Sequence, residues 1–149
     1  MALTVDDIRL FAKDDPSLNI LLDSKEQSSD DLIELAMRLA VSLFNSVAPV
    51  TQYSVETCPN DTILLYGTLY HLALSESERQ LRNEINFQTQ GGMNVALDNK
   101  YDKYASLAEL YRRLFDAEVK SFKTFINTED AWGEEFSPYS NINEFLFRV

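Results

Sequence analysis

Cysteine occurs once in this chain, as Cys58, and histidine once, as His71. The first scarcity rules out an internal disulfide and the second a histidine-rich metal site. Basic residues are also short: 13 lysines and arginines stand against 24 aspartates and glutamates, a net charge of -11. A surface of that sign repels phosphates, which excludes an extended basic face for nucleic acid. The opening MALTVDDIRL has neither a basic region nor an apolar run, so no signal peptide is expected. The most apolar stretch, Ile63 to Leu74, falls short of the roughly 20 residues that a membrane span needs. There is no internal repeat, no low-complexity segment and no Glu-x-x-His pair of the kind that builds a carboxylate-bridged di-metal bundle. These absences leave a soluble protein of a reducing cytoplasm as the expectation.

What the chain does have is apolar material in helical register. Of its 149 residues, 45% are hydrophobic and 11% aromatic, which is enough for one folded domain with tails. The stretch around which the rest is ordered runs from Asn60 to Glu84. Its first half, Ile63 to Leu74, is apolar all round, so the pattern predicts a helix buried on every side there. Asn60 caps it and Asp61 places a negative charge in its first turn. From Ser75 onward the sequence turns polar, with Leu81 and Ile85 still apolar, so this half emerges into water or against a partner.

Around this rod the chain reads as helices. Thr4 with Asp7 forms a capping box for a short helix that must end by Asp15, before Pro16. Leu18, Ile20, Leu21 and Leu22 are expected to lie on the core. Ser29 caps a second helix over Asp30 to Ser46, where Leu32, Ala36, Leu39 and Leu43 recur beside Ile33, Ala40, Phe44 and Val47. Val50, Tyr53 and Val55 alternate with polar residues, which predicts an extended connection and a short strand. Gly91 and Gly92 mark a hairpin or loop tip. No Lys-Ser/Thr follows them, so they do not read as a phosphate loop. The last long helix opens at Asn99 and is expected to run to Ile126, burying a row from Tyr101 through Tyr104, Ala108, Tyr111, Phe115 and Val119 to Phe122. Leu107, Leu110, Leu114 and Phe125 widen that face. Beyond it the chain is aromatic without period, as expected of a tail docked on something else. The fold class is therefore all-α: a small helical bundle of three to four main helices, with a short extended or hairpin loop and an extended C-terminal tail. A helical domain over 1–127 carries a docking tail over 128–149.

No catalytic constellation is legible. His71 has no serine or cysteine nucleophile motif beside it and reads as a hydrogen-bonded core or interface histidine. Cys58, just before Pro59, reads as a small half-buried residue. Glu76, Glu78 and Glu84 around Arg79 and Arg82 have the spacing of a solvated ion-pair face. Arg112, Arg113, Lys120 and Lys123 alternate with Glu109, Asp116 and Glu118, which favours pairing within the helix over a nucleic-acid patch. No enzyme activity, cofactor or metal is expected.

Taken in order, the segments VDDIRLF, PNDTILLYGTLYHL running into SESERQLRNE, GGMNVALDNKYDKY, ASLAELYRRLFDAEV, AWG and SPY give a chain that resembles the head-tail connector (adaptor) proteins of long-tailed bacteriophages. The resemblance implies an all-α virion structural protein of the neck, assembled in the host cytoplasm. It implies a dodecameric ring (a homo-oligomeric 12-mer) between the portal protein and a head-closure or tail protein, with DNA passing through the lumen without specific binding and no membrane contact. It makes Trp132, Pro138, Tyr139 and Phe145 candidates for docking on the portal, and Gln90, Gly91, Gly92 and Met93 candidates for a subunit or tail contact. Two rivals stand beside it. Another neck component, a head-closure or tail-terminator protein, would bring more strand. A small helical ligand-binding protein or enzyme would need polar groups converging in a pocket.

Overall fold

A computed structural model describes residues 3–15, 17, 26–82 and 100–132, with side chains in the last helix through 128. Four helices follow one another: α1 (Val5–Ala12), α2 (Asp30–Ser46), α3 (Asp61–Arg82) and α4 (Lys100–Trp132). The protein is an all-α bundle, and no strand occurs among the described residues.

Local chemistry sets the helix ends. Thr4 Oγ1 accepts from the Asp7 backbone N–H at 3.2 Å while the Thr4 N–H donates to the Asp7 carboxylate at 2.9 Å, a complete capping box. α1 stops at Ala12, ahead of the expected limit at Asp15, because Lys13 turns left-handed at φ 57°. The Asp14 N–H then donates to the Arg9 carbonyl at 3.0 Å. Ser29 Oγ accepts from the Leu32 N–H at 3.3 Å and Asn60 Oδ1 from the Thr62 N–H at 2.8 Å, so α2 and α3 are capped where the sequence places their caps.

α3 is the middle rod. It packs most extensively on α4, next on α2 and only lightly on α1. Gly67 meets Ala40 of α2 and Phe115 of α4, while Phe44, Ile63, Phe115 and Val119 cluster nearer the start of α3. Partners late in α2 and α4 thus face residues early in α3, so α3 runs antiparallel to both. Phe44, Ile63 and Phe115 are sealed from solvent. Burying each such side chain contributes about 1.5–3 kcal/mol. Thr68, also fully buried, donates its hydroxyl to the Leu64 carbonyl at 2.7 Å and so adds no orphaned polar group.

Three expectations change. Ile63, Leu64, Gly67, Thr68 and Leu69 are buried, but Leu65, Tyr66 and Tyr70 are only half-buried and Leu74 is 37% exposed, because two neighbouring helices and an eight-residue third cannot wrap the whole rod. Val50, Tyr53 and Val55 form no strand. Instead Asn45 fastens this connection, donating to the Tyr53 carbonyl at 2.8 Å and accepting from the Tyr53 N–H at 3.1 Å, while Tyr53 stacks on Phe44. Val50 faces water. Finally, α4 continues to Trp132, so the first residues of the expected 128–149 tail are helical. Its 33 residues make a rod of about 50 Å. The expected contacts of Leu18, Ile20, Leu21 and Leu22 lie outside the described residues, as does the Gly91–Gly92 loop.

Candidate functional site

Trp132 is the last residue of α4, and its side chain lies outside the described set. Pro138, Tyr139 and Phe145, and likewise Gln90, Gly91, Gly92 and Met93, lie outside the described residues altogether. The functional reading of the described part therefore rests on its surface and on its buried polar groups.

Cys58 is half-buried, with its thiol 3.6 Å from the Asn60 carbonyl. Burial raises its pKa, which keeps it a thiol and a poor nucleophile. His71 does not match the hydrogen-bonded histidine expected. Its ring lies 4.8 Å from that of Tyr70, and its Nε2 is buried without a hydrogen-bond partner. Burial, and then the Arg112 charge, push its pKa below the ordinary value and hold the ring neutral at pH 7. With the folded-state pKa below the unfolded 6.5, the neutral ring's contribution is complete above pH 6.5 and is lost as pH falls through the folded-state pKa. A His71→Leu variant is accordingly expected to be as stable as wild type or slightly more so at pH 8, and to lose less stability on acidification. Urea melts across a pH series check this, and parallel pH profiles for the two proteins would contradict it.

The ion-pair face expected on α3 is present in part: Glu84 lies outside the described residues, and the Glu76 side chain is largely buried rather than solvated. Arg79 meets Glu76 at 2.7 Å and Arg82 meets Glu78 at 3.8 Å. Burial alone would raise the Glu76 carboxyl, but hydrogen bonds from Arg79 and Gln80 outweigh it and leave its pKa low. On α4, Arg112 pairs with Asp116 at 3.0 Å and Arg113 with Glu109 at 3.8 Å.

Lys123 departs from the pairing with acidic residues of its own helix expected of it. Only 2% exposed, it donates to the Pro49 carbonyl at 2.8 Å and to Thr51 Oγ1 at 2.6 Å, and its ammonium sits 4.3 Å from the centre of the Phe44 ring. Burial lowers its pKa. It pins α4 to the connection between α2 and α3. Nine residues of α4, about 14 Å of rod, follow it.

Two features had no separate signal in the sequence. The Arg9 guanidinium is buried and reaches Asp30 at 2.6 Å, Glu26 at 3.0 Å and Asp14 at 3.5 Å. The buried Asp14 also accepts from the backbone N–H groups of Gln27 and Ser28. The second is a cleft of about 350 Å³ between the end of α1, the start of α2, α3 and α4, lined in part by Asp14, Leu72, Glu76, Arg79, Tyr104 and Leu107. The carboxylates of Asp14 and Glu76 are already engaged by neighbouring groups, so they do not converge on an open point in the cleft. Among the described residues no group of three His, Cys, Asp or Glu side chains is placed to hold a metal ion, and no helix is long and apolar enough to cross a membrane.

The remaining surface feature is apolar. Leu107, Leu110 and Leu114, expected to widen the buried face of α4, are 37%, 46% and 36% exposed, since α3 alone packs extensively on this helix and fills the adjacent stripe. Phe125 is exposed as well, as are Leu10 and Phe11 on α1 and Leu35 and Leu39 on α2, although Leu39 is expected to recur on the apolar face. Leu74 and Leu81 form a second exposed line on α3, three and ten residues beyond His71. The two lines lie on different flanks. Arg112 sits 5.5 Å over the Tyr70 ring, beside His71, whereas Leu110 and Leu114 are each about 200° round α4 from Arg112.

Comparison with known proteins returns no matching family model, no matching curated protein and no matching solved structure.

Proposed function

We propose that this chain is a structural, non-catalytic subunit of a long-tailed phage neck: the adaptor that forms a ring between the portal and the head-closure or tail proteins and lets DNA through. The observation that carries the reading is a pair of uncovered apolar helix faces, on different flanks of an all-α subunit whose buried charges Arg9, Asp14 and Lys123 all have partners within it. Such a surface suits a protein whose neighbours complete it. The order of the sequence segments supplies the kind of assembly, by resemblance. Against the rival neck roles stands the absence of strand among the described residues. The net charge of -11 suits a pore wall, because a ring of acidic subunits repels phosphates and does not hold passing DNA.

In this reading α4 carries the chain past Lys123 toward the C-terminal aromatics, which supply the portal anchor. Removing residues 133–149 leaves every described helix intact. The truncated protein is expected to keep the helical circular dichroism of the full chain and to lose binding to portal rings. Electron microscopy of portals mixed with each protein checks it, and decorated portals with the truncated chain would refute the docking role of this segment.

A further inference from the structure

We infer that the two uncovered apolar lines meet each other across copies: the Leu74–Glu78–Leu81 line of one subunit packs on the Leu107–Leu110–Leu114 line of the next. The inference rests on the self-assembly in the proposed function and specifies the surfaces that bring it about. Each line is two turns long, at spacings of i, i+4, i+7 on α3 and i, i+3, i+7 on α4, the pattern with which two helices interlock. They also match in charge. Glu78 exposes its carboxylate between the two α3 leucines, and Arg113 exposes its guanidinium beside Leu114. Within the subunit each of these groups has only a 3.8 Å contact, to Arg82 and to Glu109, in full reach of water. Exchanging such pairs for one across an interface costs little.

The lines differ from each other and occupy different flanks, so a contact between them is head-to-tail: every subunit offers one free line to a further copy, as a ring or filament requires. Two or three leucines a side are less than a stable dimer interface, about 800 Å² per partner, demands. A single contact is therefore weak, and closure of many contacts adds the rest.

A covalent trap suits a weak contact. In a Cys58→Ser background, one chain carries Leu74→Cys and a second carries Leu110→Cys. Under mild oxidation, intact-mass measurement is expected to find cross-linked dimer in the mixture and only background in either chain alone. A chain carrying both substitutions is expected to give a ladder of multimers. Leu110→Cys mixed with Val50→Cys, a fully accessible position on the connection between α2 and α3, sets the collision background. Dimer in the mixture no greater than that background, or equal dimer from one chain alone, overturns the inference. The portal experiment is separate. A ladder without portal binding sinks the adaptor reading and leaves the interface standing, and portal-bound rings of a chain that gives no ladder do the reverse.

Discussion

Replacing Arg9 with methionine is expected to cost about 3–5 kcal/mol of folding stability, the usual loss when one partner of a buried charge cluster is removed. For a chain of this size that is about 10 °C in melting temperature, since each kcal/mol shifts it by about 2–4 °C. The reason lies in Asp14. Its side chain is 7% exposed and stays buried when the guanidinium goes, holding a negative charge with only the Gln27 and Ser28 N–H groups to satisfy it. Methionine replaces the volume of the stem but none of the donors. Asp30 and Glu26 contribute less to the loss, because both already face water at 71% and 55% exposure. The same cluster joins the segment before α2 to α1, which is also held by Ile8, fully buried in the core with Ile33, Met37 and Leu64. The effect should depend on charge. Asp14→Asn is expected to be costly in wild type and much less so in the Arg9→Met background, where it removes the uncompensated carboxylate. Urea unfolding of the four proteins in this cycle measures the coupling, and strictly additive losses would contradict it.

The helices were legible because their information is local. Ser29 and the recurrence from Leu32 to Phe44 define α2 at both ends, and Thr4 with Asp7 defines the start of α1. Which apolar residues are covered is decided by how many neighbours a helix finds, and that is not written in its period. Leu107, Leu110 and Leu114 carry the same helical signal as Tyr104, Ala108 and Tyr111, yet the first set is exposed while Ala108 is buried and the two tyrosines are half-buried. Lys123, four residues after Val119, falls nearer the buried stripe than Lys120, but the period does not say what it meets. One lands on the 49–51 connection, 72 residues or more away in the chain, and the other faces solvent. Arg9 and Asp14 show the same limit: five residues apart at the end of a short helix, they carry no signal of the 26–30 segment that meets them, where Glu26 and Asp30 pair with Arg9 and the Gln27 and Ser28 N–H groups donate to Asp14. The candidate portal-docking residues from Trp132 onward and the Gln90–Met93 loop were marked by resemblance and composition, which propose a partner without placing the side chains.

Phe115→Ala is expected to lose about 3–5 kcal/mol, as fully buried phenylalanines do when truncated in a core that cannot collapse. Collapse is blocked here by the close approach of three helices at Gly67. A methyl group built on Gly67 would lie 2.6 Å from the Ala40 Cβ and 2.9 Å from the Phe115 ring, so three helices meet where there is room for no side chain. Gly67→Ala sets two effects against each other. Alanine gains about 1 kcal/mol in helix propensity over glycine, while overpacking costs about 1–3 kcal/mol. Neither the Ala40 Cβ, fixed to the α2 backbone, nor the sealed Phe115 ring can step aside without moving a helix, so overpacking wins and the variant is destabilised. Removing the ring changes the balance, because α3 can then settle toward the space the ring has left and draw the new methyl away from Ala40. Gly67→Ala is therefore expected to cost clearly less in Phe115→Ala than in wild type, and the coupling between the two positions should be favourable by about 1 kcal/mol or more. Unfolding midpoints of the two single variants and the double variant measure it. If Gly67→Ala proved neutral or stabilising in the wild-type chain, helices α2 and α4 could not both be seated on α3 at this point, and the packing described for the centre of the bundle would be wrong.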